Sequence, residues 1–272
     1  MAPGLVFADD LLAGRTALVT GGGTGLGRAI ATGLAEAGAA VLIASRRREV
    51  VASAAAEIAD QTGQEVTFDV VDIRDPEAVG TLADRYPGID ILVNNAGGQF
   101  PQKARDFSPN GWRSVVDLNL NGTWNMTQAF GNNMLDGDGG SICQIIATVG
   151  RGIPGIAHSA SARAAVLELS RTLAFEWGPK VRLNCVAPGQ FHTAAWDAAY
   201  AEEVGAGFVE QPLPHVGDVR DIANAVVFLV SPAARFVTGE VLYVDGGLII
   251  QGPMSALPPG GYPERDEPSP GR

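Results

Sequence analysis

Short apolar, β-branched runs alternate along this chain with Ala-rich amphipathic stretches, and that alternation restricts the fold more than any other feature. Candidate strands are TALVT at 16–20, AVLIA at 40–44, VTFDV at 66–70, DILVN at 90–94, SICQIIA at 141–147, VRLNCVA at 181–187 and EVLYV at 240–244. Most are apolar throughout, as expected of strands covered on both faces. Helical patterns fall between them, near 25–37, 48–61, 75–85, 111–134, 159–177 and 218–230. Alternating strand and helix predicts a parallel sheet joined by right-handed crossovers. The expected class is therefore α/β: one doubly wound (Rossmann) sheet of about seven strands with helices on both faces. Ligands of such a sheet sit at the carboxyl ends of the strands, near the point where strand order reverses.

With 272 residues, no repeat and no interior linker, the chain reads as one large domain over 1–250. The remainder, 251–272, is rich in Pro, Gly and charge and is expected to be an extended tail. The net charge of −11, from 19 basic and 30 acidic residues, argues against nucleic acid as a partner, because phosphate neutralisation needs a basic face. No apolar run approaches ~18 residues, so no membrane span is expected. The start, MAPGLVFADDLLAG, is acidic rather than basic and does not read as a secretory signal. Cys143 and Cys185 both lie in apolar strand-like stretches, as buried thiols of a cytoplasmic protein would.

The first strand runs straight into TGGGTGLGRAI. Gly21 suits a tight turn. Gly25 and Gly27 let backbone approach a pyrophosphate and let the next helix pack close to the sheet, while that helix offers N–H groups and its positive end. A bound dinucleotide is the expectation. The second strand ends in Ser45, Arg46 and Arg47, where a chain using NAD commonly places an acid for the ribose 2′-hydroxyl. Guanidinium forks suit a 2′-phosphate instead, so NADP(H) is expected, with Arg46 as its main contact.

In order and spacing, TGGGTGLG at 20–27, Asp72 with Ile73, NNAG at 94–97, Asn119 in DLNLNGT, APGQFHT at 187–193 and VTGEVLYVDGG at 237–247 resemble the short-chain dehydrogenase/reductase family over roughly residues 12–250. The resemblance implies an oxidoreductase. It also implies a cofactor site drawing on Thr24 and Leu26 of the loop, Asp72 and Ile73 at the adenine, Asn95, Ala96 and Gly97 on the ribose side, and Pro188, Gly189, Phe191 and Thr193 near the nicotinamide. Asn119 would hold a helix bulge and a water. A homotetramer built through helices 111–134 and 159–177 is implied in the same way. No metal is expected in the site.

The family's usual catalytic set is Asn, Ser, Tyr and Lys. Here Asn119 is kept, but Ser159 stands at the tyrosine position, Arg163 at the lysine position, and Thr148 is the one hydroxyl in IIATVG at 145–150. NNAGGQF, HSASARAAV, LAFEWG and NCVAPG look similar to the acyl-CoA branch, with its trans-2-enoyl-CoA and 2,4-dienoyl-CoA reductases. A serine hydroxyl is a far weaker acid than a phenol of pKa ~10. Reduction of a C=C bond conjugated to a thioester needs only donors for a developing enolate oxygen, with a proton from ordered water.

The expected activity is thus NADPH-dependent reduction of an α,β-unsaturated acyl thioester. Thr148 and Ser159 would act as donors, Asn119 would position water, and Arg163 would sit at the ribose. Gln99, Phe100, His158, Trp196 and Tyr200 are the candidate substrate pocket, with the segment near 194–212 covering it. His158 could relay a proton, or only cap or pack. Lys103, Arg105 and Arg151 could offset the overall charge for an anionic substrate. The alternatives are a carbonyl reductase or alcohol dehydrogenase with another proton donor, and a cofactor-binding protein without turnover.

Overall fold

The computed structural model describes residues 7–148, 154–191, 193, 211–213 and 216–250. Seven parallel strands form one sheet: β1 (Thr16–Thr20), β2 (Ala40–Ser45), β3 (Val66–Val70), β4 (Ile91–Asn94), β5 (Gly140–Ile145), β6 (Val181–Pro188) and β7 (Val241–Val244), in the order β3-β2-β1-β4-β5-β6-β7. The order reverses between β1 and β4, whose registers pair Leu18 with Leu42 on one side and Leu92 on the other. The sheet, its strand count and the helices on both faces agree with the sequence reading.

The strands between the edges are apolar because helices cover both faces. Successive residues of β1 go to opposite sides: Val19 packs with Ile30, Ile43, Ile58 and Val226, and Leu18 with Met126, Phe130, Ile142 and Leu173. The first layer holds α1 (Gly25–Glu36), α2 (Arg48–Thr62) and α7 (Val219–Val230). The second holds α3 (Pro76–Arg85), α5 (Gly122–Asp136) and α6 (Ala157–Trp177). Each fully buried Leu or Ile contributes about 1.5–3 kcal/mol, so the two layers supply most of the drive to fold.

Helix ends follow local chemistry. Asp75 caps α3 by accepting from the Glu77 and Ala78 N–H groups, with Pro76 behind it. Asp218 and Asp221 close a capping box on α7. The stretch expected as one helix at 111–134 is broken into α4 (Pro109–Val116), a π turn at Asp117–Asn121, and α5. The Gly122 N–H donates to the Asp117 carbonyl. A π turn inserts one residue into the helix and redirects a side chain, and such turns are frequent at functional sites. It fits the bulge that the resemblance implied at Asn119.

The chain on either side of 194–210 is tied together. Gln190 Nε2 donates to Gln211 Oε1 at 2.9 Å, and Phe191 pairs with Gly217 as an isolated bridge. Trp196 and Tyr200, with Phe208, His192, Arg151 and the tail 251–272, lie outside the described residues.

Candidate active site

At the carboxyl ends of β1 through β6 the chain leaves a cavity of about 510 Å³. Its floor is the turn after β1. Gly21 has φ +67° and its N–H donates to the Ala44 carbonyl at 2.7 Å. A Cβ on Gly27 would land on the Gly21 carbonyl and the Asn95 amide, so the third glycine is what lets α1 start this close to the sheet. Thr24, the N-cap of α1, makes no side-chain cap, and the first turn carries no acid. The helix therefore presents N–H donors and its positive end to the cavity, the arrangement an anionic diphosphate needs. Gly25 stands across from Thr193, and a Cβ there would come 3.7 Å from its side chain.

One end of the cavity is basic. Ser45, Arg46 and Arg47 line it beside Asp72 and Ile73, and both arginines are exposed. Asp72 is held by Arg74, whose Nε donates to Oδ1 at 2.9 Å and whose second nitrogen reaches Oδ2 at 2.5 Å. Those hydrogen bonds lower the Asp72 pKa to about 2, against a smaller opposing effect of burial.

The middle is fixed from β4. Thr20 Oγ1 accepts from the Asn95 and Ala96 N–H groups, both at 3.0 Å, and Asn95 Nδ2 donates to the Thr20 carbonyl at 3.0 Å. These bonds hold the two diverging strands at the switch point. A Cβ on Gly97 would lie 2.8 Å from the Arg163 guanidinium and 3.0 Å from Asn119 Oδ1, so only glycine leaves room for both.

At the other end four polar side chains form one connected group. Asn119, turned inward by the π turn, clamps Gly98: Oδ1 accepts its N–H and Nδ2 donates to its carbonyl, both at 2.9 Å. Ser159 Oγ accepts from Asn119 Nδ2 and from Arg163 Nε, each at 3.3 Å, and donates to Gln99 Oε1 at 2.8 Å. Two donors already point at that hydroxyl, so its proton goes to Gln99, and the Gln99 oxygen must face it. Arg163 also donates to the Ile145 and Ile146 carbonyls at 2.9 and 3.1 Å. Loss of surrounding water lowers its pKa to about 10, which leaves it a cation at neutral pH.

The expected cofactor residues Gly21, Thr24, Gly25, Leu26, Gly27, Ser45, Arg46, Arg47, Asp72, Ile73, Asn95, Ala96, Gly97, Arg163, Pro188, Gly189 and Thr193 all line this one cavity. Phe191 turns into the core at 5% exposure, against the space that Gly217 leaves. Of the expected catalytic group, Arg163 faces the cavity. Asn119 and Ser159 are buried behind Gln99 and Gly98, and Thr148 is buried with its hydroxyl donating to the Pro188 carbonyl at 3.1 Å.

Gln99 lines the wall as expected, whereas Phe100 and His158 pack together behind it. His158 is fully buried between Phe100 and Phe107, and its Nδ1 accepts the Ser159 N–H at 2.8 Å. Burial lowers its pKa and outweighs the Ile156 carbonyl nearby. Leu118, Ile145, Ile146 and Ala147 also line the cavity and were not anticipated; their apolar patterns in the sequence are indistinguishable from core. Arg74 and Phe107 were missed too, although Arg74 lies only two positions beyond Asp72.

A family model described as enoyl-(acyl carrier protein) reductase matches residues 21–249. A peroxisomal 2,4-dienoyl-CoA reductase ((3E)-enoyl-CoA-producing) of Danio rerio is 38% identical over 252 residues, covering 89% of this chain and 84% of that one. A 3-oxoacyl-[acyl-carrier-protein] reductase of Chlamydia muridarum is 36% identical over 246 residues, covering 88% and 99%. Among solved structures, a putative NAD(P)-dependent gluconate 5-dehydrogenase from Beutenbergia cavernae with bound NADP superposes with TM-score 0.84 at 38% identity, covering 89% of this chain and 100% of that one. With these matches and this sheet, loop and cavity, the chain belongs to the short-chain dehydrogenase/reductase family of oxidoreductases.

Proposed function

We propose that the chain is an NADPH-dependent reductase of the C=C bond of an α,β-unsaturated acyl thioester. The observation that carries this reading is the buried chain Asn119–Ser159–Gln99, in which the serine at the family's usual tyrosine position hands its hydrogen bond to a primary amide on the cavity wall. Among the described residues no tyrosine lines the cavity. An amide is a hydrogen-bond donor of fixed direction and no useful acid. It suits an oxygen that gains negative charge without needing a proton, as a thioester oxygen does when its conjugated double bond is reduced.

The cofactor, when bound, supplies the hydride that reaches Cβ. The N-terminus of α1 would receive its diphosphate, Ser45, Arg46 and Arg47 its 2′-phosphate, Asp72 and Ile73 its adenine, and Arg163 its nicotinamide ribose. Gln99 Nε2 would donate to the thioester oxygen. Ser159 would set the Gln99 rotamer rather than touch substrate, and Arg163 would add a fixed positive charge on the same side. Thr148 would hold the Pro188 carbonyl in place through its own hydroxyl. Asn119, expected to position a water, spends its amide on Gly98 and Ser159, so the proton at Cα would come from water admitted to the cavity itself.

The relative named a 2,4-dienoyl-CoA reductase ((3E)-enoyl-CoA-producing) supports reduction of unsaturation conjugated to a thioester, although its named product keeps one C=C bond. The relative named a 3-oxoacyl-[acyl-carrier-protein] reductase favours a second one, reduction of a carbonyl, which would need a proton donor beyond those described. The test is product identity: a 2-enoyl thioester should yield the saturated acyl thioester, a 2,4-dienoyl thioester an enoyl thioester, and neither a hydroxyacyl product. Assembly as a homotetramer is part of the proposal. Phe175 on α6 is 91% exposed and Trp112 on α4 39%, apolar surface that a second copy would cover. Both cysteines are free and buried, which suits a reducing compartment such as the cytoplasm. Among the described residues no helix is long and apolar enough to cross a membrane.

A further inference from the structure

Asp72 raises an electrostatic problem that the cofactor reading leaves open. Its carboxylate lines the same end of the cavity as Arg46 and Arg47, and the Arg46 charge acts on it. An unpaired acid there would do two unwelcome things. It would draw Arg46 towards itself, and it would repel a phosphate on the adenosine ribose. The structure answers with Arg74, two residues on and outside the cavity lining. Arg74 grips both carboxylate oxygens side-on through Nε and a terminal nitrogen, while its backbone N–H donates to Oδ1 at 3.1 Å. A planar fork matched to both oxygens is the strong form of this contact and leaves little rotational freedom in either partner. The charge of Asp117, the first residue of the π turn, adds a smaller pull on Arg74.

We propose that Arg74 is a specificity-determining positioning residue: by clamping Asp72 it cancels the acid's charge at the cavity rim and leaves Arg46 to the 2′-phosphate. Arg74 acts through Asp72 and touches no part of the ligand. The inference rests on the NADP(H) reading and extends it to a residue outside the pocket. Its signature is a change in the ratio of two affinities, which a merely structural ion pair on the surface would not produce.

The test is a binding titration, following the nicotinamide fluorescence of NADPH and of NADH with the full-length protein, its Arg74→Gln variant and the double variant Asp72→Asn/Arg74→Gln. Arg74→Gln should weaken NADPH about tenfold and NADH by less than about twofold, with the defect shrinking as salt is raised. The double variant should recover most of the wild-type ratio of NADPH to NADH affinity, since the charge that needed cancelling is gone and any loss at the shared adenine falls on both cofactors alike. Equal weakening of both cofactors by Arg74→Gln, or no recovery of the affinity ratio in the double variant, would overturn the role of Arg74. Wild-type protein that binds NADPH no more tightly than NADH would overturn the cofactor reading itself, and that result is read from the wild-type titration alone.

Discussion

Ser159 Oγ donates to Gln99 Oε1 at 2.8 Å, joining the first turn of α6 to the loop after β4 across 60 positions of chain. The contact converts a buried hydroxyl into a device that aims an amide. If Gln99 is the donor and Ser159 its support, Gln99→Ala should lower kcat by about 10²-fold, the range for loss of one donor at a developing oxyanion. Ser159→Ala should cost about tenfold, and the double variant no more than Gln99→Ala alone, because the two act as one unit. NADPH affinity should stay within about twofold in all three. Steady-state kinetics with a 2-enoyl-CoA substrate, beside cofactor titration, read all of this. Independent, additive losses would separate the two residues.

Arg163 joins structure to binding. Its guanidinium satisfies the Ile145 and Ile146 carbonyls at the end of β5 while lining the cavity. Arg163→Met should leave those acceptors unpaired, at about 1–3 kcal/mol, and lower Tm by several degrees. It should also weaken NADPH and NADH alike, since the ribose near nicotinamide is common to both. Loss of one cofactor only would contradict this placement.

Arg46 should behave in the opposite way. Arg46→Ala removes a charge-assisted contact expected only with the 2′-phosphate, so KM for NADPH should rise by about tenfold or more while KM for NADH barely moves. Parallel changes in both constants would remove the phosphate from this end of the cavity.

His158 makes stability depend on pH. Its folded-state pKa is depressed below the ordinary 6.5 by burial. Below 6.5 the unfolded chain takes up a proton more readily than the folded one, so the stability at stake is full above that value and declines as pH falls towards the folded pKa. The slope from this one group is at most about 1.4 kcal/mol per pH unit. Replacing His158 with Phe should flatten the fall in Tm between pH 7 and pH 5 relative to wild type. Identical slopes would show that the imidazole titrates normally.

Much of the fold was legible because its causes are local. Apolar runs of strand length and glycines at 21, 25 and 27 each act through residues near in sequence. The cofactor end was legible for the same reason, since turn, strand end and helix start each contribute a short motif. The substrate end was not. Whether Ser159 faces the cavity or hides behind Gln99 depends on the π turn at Asp117–Asn121 bringing Asn119 inward, and a π turn leaves almost no mark on hydrophobic periodicity. His158 could equally have capped a helix or packed, until Phe100 and Phe107 closed around it from a distant loop.

The most direct measurement is absorbance at the nicotinamide band, with purified protein, NADPH and a panel of 2-enoyl-CoA thioesters beside matched aldehydes and ketones. NADPH consumption with the thioesters alone, yielding the saturated acyl-CoA, is the predicted result. Consumption with the carbonyl compounds alone would contradict the assignment, and so would tight NADPH binding with no turnover of either class.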